Sequence, residues 1–271
     1  MTQTCHSFCK QINEITKNFK PEIALILGSG LGSLADKIQN PLIIKYSDIV
    51  GFPQSTVCGH KGQFVLGTLN GKNVICMQGR VHLYEGHRPQ EICNIIKTFK
   101  LLGVKKLIVT NAAGSLNPSI KAGSIMLITD HINLSFNNPL IGPNDEDFGP
   151  RFPDMSNAYD KDLQALAQEI AKQENISIEK GVYLMVSGPN FETSAEVKAF
   201  GILGGDAVGM STVPEVISAT YCGIKTLGFS VITNMGTGLQ SSTQSHDETL
   251  AMADKATNNL ALLLGKIFER M

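Results

Sequence analysis

The 271-residue sequence predicts an α/β fold, with a central mixed β-sheet flanked by helices, and three observations carry that prediction. Short apolar runs rich in β-formers recur along the chain, as the buried strands of a parallel sheet do. Between them lie segments with helix-start signals. One stretch instead has the pattern of a hairpin, which makes the sheet mixed rather than purely parallel.

The apolar runs are residues 23–27, 107–110, 125–128, 182–186 and 226–232, each bounded by Gly, Lys or polar residues. The hairpin pairs residues 63–69 with 73–77 across an Asn70-Gly71 turn, the dipeptide that two-residue hairpin turns favour. Thr193-Ser-Ala-Glu196 and Ser245-His-Asp-Glu248 match the capping box that opens a helix. The second begins a long amphipathic segment with Leu250, Ala253, Leu260, Leu264 and Ile267 on or near one face. Residues 35–38 can start a further helix after the first strand, and Cys5 and Cys9 stand four apart on another. Composition changes nowhere along the chain, so residues 1–271 are expected to form one domain.

Hydrophobic residues make up 42%, enough for a sizeable core. The 23 basic and 24 acidic residues leave a net charge of −1 with no basic cluster, which argues against a nucleic-acid partner. Residues 1–20 are polar, and no run approaches the roughly 18 consecutive apolar residues of a membrane span, so neither a signal peptide nor a membrane partner is expected. The six cysteines are scattered without a C-x-x-C pair, which fits a reduced, cytoplasmic protein with no disulfide framework and no metal site.

The chemistry begins at Gly28-Ser29-Gly30-Leu31-Gly32, directly after the first strand. Glycines allow positive φ there and let backbone N–H groups approach an anion, although a ligand-free strand-to-helix turn would use them too. A dinucleotide fingerprint is the rival, and Asp48 stands about 20 positions on, where its ribose-binding acid should be. But Ser33 occupies the third glycine's place, and the chain runs on into Gly51-Phe-Pro53 and the hairpin.

Four further segments place capable side chains at strand ends, where open α/β sheets bind ligands. Gly59-His60-Lys61-Gly62 precedes the hairpin, and Gly79-Arg80-Val81-His82-Leu83-Tyr84-Glu85-Gly86 follows it. Arg80 and His82 alternate, so an extended backbone projects both to one side, where a guanidinium can fork two phosphate oxygens and an imidazole can donate to a third. Thr110-Asn-Ala-Ala-Gly114 offers backbone N–H groups, and Ser187-Gly-Pro-Asn-Phe-Glu192 sets an aromatic ring beside a carboxylate, which suits a flat heterocycle. Taken singly, each admits a plainer role: a surface Arg, a packed His, a helix-start Glu.

With Asp130-His-Ile-Asn133, Val208-Gly-Met-Ser-Thr-Val-Pro-Glu215 and Ile232-Thr-Asn234, these segments occur in the order found in the trimeric purine nucleoside phosphorylases. The chain resembles that family from about residue 20 to its end, and Thr-Asn234 continuing into Met-Gly-Thr-Gly-Leu resembles its bacterial branch, which includes xanthosine phosphorylase. The resemblance implies the nucleoside phosphorylase fold, with a partly barrel-like sheet, and reversible phosphorolysis of purine nucleosides without a cofactor or metal, inorganic phosphate being a co-substrate. It implies phosphate contacts from Ser29, His60, Arg80, His82, Asn111, Ala112 and Ser211. It places Tyr84, Met210 and His246 at the ribose, and Phe191, Glu192 and Asn234 at the base. His82, Glu192 and Asn234 become the catalytic candidates, and Phe152 is expected to reach a neighbouring site in a homotrimer. Glu192 can accept from N1–H of a 6-oxopurine, which points to inosine and guanosine, with xanthosine and deoxyribonucleosides left open. Methylthioadenosine phosphorylase, or a nucleoside-binding protein without activity, would share much of this pattern. Whether His60 touches phosphate or orders its loop is open, and residues 235–242 are a candidate lid.

Overall fold

The structure, a computed structural model, describes residues 2–28, 30–57, 59–239 and 246–271, the side chains of residues 2 and 246–255 excepted. Its strands are β1 (Ile23–Leu27), β2 (Gln39–Lys45), β3 (Gln63–Leu69), β4 (Lys72–Gln78), β5 (Lys106–Ser115), β6 (Ile125–Asn133), β7 (Glu179–Met185), β8 (Ala207–Gly209) and β9 (Lys225–Met235). They lie in the order β2-β3-β4-β1-β5-β8-β7-β6-β9, and β9 also pairs with β5. That last pairing closes β5, β8, β7, β6 and β9 into a ring, while β1 to β4 extend from it as an open arm. The sheet is therefore mixed and partly a barrel, as expected.

Helices cover both faces. On one side lie α1 (Thr2–Thr16), α2 (Pro89–Leu102) and α5 (Val213–Tyr221), whose Phe8, Ile12, Phe99 and Val216 pack with Phe64 and Leu107 of the sheet. On the other lie α3 (Lys161–Gln173) and α6 (His246–Arg270), whose Leu163, Leu260, Leu264 and Phe268 meet Leu25, Ile108 and Phe229. The intervening α4 (Ser194–Ile202) sets Val197 against Leu184 and Val208. No helix among the described residues is long and apolar enough to cross a membrane.

The strand at 23–27 and the Asn70-Gly71 hairpin lie where the residue pattern puts them; Asn70 and Gly71 take φ of 47° and 80°, as a primed turn requires. The expected helix start at 35–38 is corrected. Residues Gly32–Lys37 form a short 3₁₀ turn, and the chain then enters β2. Asn40 precedes Pro41, which disfavours helix for the residue before it, and an irregularity between Gln39 and Leu42 absorbs Asn40 at φ 49°. The expected cap Ser245, and the side chains of Leu250 and Ala253, lie outside the described residues.

Candidate active site

The cleft follows from how β5 is paired. Residues 106–109 pair with β1, and only Gly114 and Ser115 pair with β8. On that edge, residues 110–113 have no strand neighbour, and a cleft of about 440 Å³ opens beside them. Gly28, at the end of β1, can come this close because it lacks a side chain: a Cβ there would sit 2.8 Å from Asn111 Cα and from Thr110 O. Arg80, His82, Tyr84, Asn111 and Ala112 line the cleft with Ser211. Phe191, Glu192, Met210 and Asn234 line it too. Ten of the expected residues are thus brought together from segments more than 150 positions apart.

Arg80 is 1% exposed and its guanidinium is already bonded. Nη1 donates to Ser211 Oγ at 2.8 Å and to Thr212 Oγ1 at 2.7 Å, and Nη2 donates to Thr110 O at 2.5 Å. Glu215 Oε1 stands 3.6 Å from Nη1, a buried counter-charge. Arg80 therefore ties the middle of β5, at Thr110, to the segment before α5, as well as facing the cleft.

Thr212 was not anticipated. It is wholly buried at φ 75° and ψ −48°, the centre of a γ-turn closed by Val213 N–H donating to Ser211 O at 2.8 Å. A β-branched residue there is a backbone outlier. It is held by its hydroxyl, which accepts from Arg80 and, at 2.9 Å, from Asn111 Nδ2. The Val208–Glu215 motif contains Thr212, but nothing in that motif marks a threonine held at positive φ.

Glu85 belongs to the Gly79–Gly86 segment, and the structure adds a role that the segment's sequence does not announce. Its Oε2 accepts the His82 backbone N–H at 2.7 Å and lies 2.9 Å from His82 Nδ1. Its Oε1 accepts from the Thr56 backbone and hydroxyl. Burial pushes the Glu85 carboxyl up, but these hydrogen bonds outweigh it and hold the group below the usual range. Burial, then the Arg80 charge, lowers the His82 imidazole to about 4 in spite of Glu85. The His82 ring stacks with Tyr84 at 4.6 Å and with His60 at 5.4 Å between centroids. His60 does not line the cleft; its Nδ1 is 3.0 Å from Arg80 O.

At the other end, Thr193 caps α4 through the expected box with Glu196, which sets Glu192 just ahead of the helix. Burial raises the Glu192 carboxyl above its ordinary pKa, and Glu196 adds to that. Asn234 stands one residue before the end of β9, where its Oδ1 accepts from Thr233 Oγ1 and its Nδ2 donates to Met235 O. Phe152 is 86% exposed and does not line this cleft. Ser29, and the side chain of His246, lie outside the described residues. No cluster of three or more His, Cys, Asp or Glu among the described residues could hold a metal.

The chain belongs to the phosphorylase superfamily, whose family model matches residues 22–269. Within that superfamily its relatives are purine nucleoside phosphorylases. Purine nucleoside phosphorylase 1 of Bacillus subtilis is 57% identical over 235 residues, 87% of each chain. That of Geobacillus stearothermophilus is 49% identical over 251 residues, 93% of this chain and 92% of its own. The Schistosoma mansoni enzyme solved with inosine superposes with a TM-score of 0.91 at 41% identity, covering 99% of this chain and 96% of that one.

Proposed function

We infer that the chain is a pentosyltransferase that catalyses the reversible phosphorolysis of 6-oxopurine nucleosides such as inosine and guanosine. The products are the free base and ribose 1-phosphate. One observation carries this: a single cleft joins an oxyanion end, built on Arg80, His82, Ser211 and the open edge of β5, to a base end built on Phe191, Glu192 and Asn234.

Breaking a glycosidic bond builds positive charge on the sugar and negative charge on the departing purine. Phosphate held at the first end, by Ser29, Arg80, His82, Ser211 and the Asn111-Ala112 backbone, stabilises the sugar cation and attacks C1′. His60 supports that end through the Arg80 carbonyl and the His82 ring. At the other end the Asn234 amide donates to the purine as its charge grows, and Glu192 accepts from N1–H. A hydrogen bond to a charged group contributes about 1.5–3 kcal/mol. Adenine presents a lone pair at N1, so the same carboxylate repels it. Phe191 packs on the base, Tyr84 and Met210 on the ribose, and His246 reaches the 5′-hydroxyl.

Inorganic phosphate is a co-substrate, and the reaction asks for no cofactor or metal, because Arg80 supplies the cation. Residues 1–271 act as one domain in a cytoplasmic homotrimer. The exposed Phe152 ring, with the Arg151 guanidinium 5.8 Å from its centroid, completes a neighbour's site. The relatives favour neither methylthioadenosine phosphorylase nor a non-catalytic binder. Incubating the protein with inosine, with and without phosphate, tests the reading: hypoxanthine should appear only with phosphate, and release that ignores phosphate would point to a hydrolase instead.

A further inference from the structure

The stretch between β6 and α3, residues 134–160, contains neither helix nor strand. Connections of that length are usually functional or disordered. Side chains hold this one in place of a backbone ladder. The Tyr221 hydroxyl, at the end of α5, donates to Asp145 O at 2.5 Å and accepts the Asp145 N–H at 3.3 Å. Gly149 packs so closely on the Tyr221 carbonyl that a Cβ there would overlap it. Arg151 Nη1 donates to Leu140 O at 3.2 Å and to Gly142 O at 3.0 Å, which folds the stretch back on itself just before the exposed Phe152. Beneath it lies Lys97, buried in α2, where a lysine is rare unless paired. Its Nζ stands 3.8 Å from Asp145 Oδ2, 4.6 Å from the Phe148 ring centroid and 5.5 Å from that of Tyr221. The carboxylate and both ring faces thus converge on one ammonium, and each belongs either to the stretch or to the tyrosine that fastens it.

We propose that Lys97 is a positioning residue for nucleoside binding: it fixes residues 145–149 against α2 and α5 and so aims Phe152 at the neighbouring site. The inference rests on Phe152 completing that site. Lys97 does not line the cleft, so it acts only through the stretch it holds. The consequence is a split between the two substrates. Arg80, His82 and Ser211 are held by contacts that involve no residue of 134–160, so phosphate binding is indifferent to Lys97. The nucleoside, which meets Phe152, is not.

Steady-state kinetics on the full chain test this, once hypoxanthine release has been found to need phosphate. Phe152→Ala should raise the KM for inosine by about three- to tenfold, the value of one aromatic contact. Lys97→Met keeps the length of the side chain and removes the charge. It should raise the KM for inosine by a similar factor, leave the KM for phosphate within about twofold, and elute from a sizing column as the wild type does. In the Phe152→Ala background, Lys97→Met should change the KM for inosine by less than about twofold, because the contact it aims is already gone. If Lys97→Met does not fold, Tyr221→Phe, which removes only the hydroxyl under Asp145, carries the same test. An unchanged KM for inosine, an equal rise in both KM values, effects that multiply in the double variant, or a changed oligomeric state overturns the proposal. Phe152→Ala with no effect on the KM for inosine would instead overturn the reading beneath it, that Phe152 completes a neighbour's site.

Discussion

Thr212 offers a test in which the sign of an effect matters more than its size. Thr212→Ala removes the hydroxyl that accepts from Arg80 Nη1 and Asn111 Nδ2. Arg80 keeps Ser211 and the Thr110 carbonyl, but the Asn111 amide loses a partner in the interior, and the two losses together cost about 2–4 kcal/mol. Alanine still carries a Cβ at φ 75°, so strain of about 1–3 kcal/mol remains. Thr212→Gly loses the same hydrogen bonds and sheds the strain, while its freer unfolded chain costs back about 0.5–1 kcal/mol. The glycine variant should thus be more stable than the alanine variant by up to about 2.5 kcal/mol, the reverse of the usual order. Urea unfolding followed by circular dichroism at one fixed protein concentration reads this as a higher midpoint at constant m. A glycine variant at or below alanine would refute the claim that Thr212 is held against its backbone preference. Both variants should also raise the KM for phosphate, because Arg80 loses one of the bonds that aim it.

Glu192→Ala should lower kcat/KM for inosine by about 10- to 150-fold, the value of one charged hydrogen bond, and leave the KM for phosphate within about twofold; steady-state kinetics with each substrate varied separates the two. The lowered His82 pKa has a stability consequence of definite sign. The unfolded chain takes up that proton near pH 6.5 and the folded one only near 4, so the contribution is complete above about pH 6.5 and is lost as pH falls toward 4. From this group alone the loss is about 3 kcal/mol, and His82→Asn should flatten that part of a denaturation-against-pH curve. Gly28→Ala would press a Cβ onto Asn111 Cα and Thr110 O, backbone atoms that cannot turn aside, and should cost about 1–3 kcal/mol and most phosphate-dependent turnover; a thermal melt and an inosine assay read both.

Much of the fold is legible because burial writes itself into composition. β1 is buried at all five positions and appears in the sequence as an unbroken apolar run. The β3–β4 hairpin announces its turn through Asn70-Gly71. β2 is not legible in this way: most of it is exposed, and it carries Asn40-Pro41. β8 is three residues long, and its place between β5 and β7 depends on partners more than 20 and more than 90 positions away. The ring closure through β5 and β9 is a pairing of two long strands 110 or more residues apart, which no local pattern encodes.

The chemistry of the cleft divides along the same line. Arg80, His82 and Glu192 are legible because their side-chain types are unusual at strand ends and stand beside turn residues, and Asn234 is legible only through the family resemblance of its Thr-Asn motif. Thr212 is not, because threonine is among the last residues expected at positive φ; only the convergence of Arg80 and Asn111 on its hydroxyl explains it. Glu85 lies between the two cases. The motif contains it, but its task depends on a three-residue turn that brings the carboxylate back to His82. The same reasoning locates the cleft itself. β5 must leave β1 before it meets β8, and the four residues between those pairings keep one edge open. The small residues at 112–114 let ligand approach that edge, and Gly28, Arg80 and Thr212 gather around its start because each bonds to Thr110 or Asn111. A bulkier side chain at 112 should therefore close the cleft while leaving both flanking pairings intact.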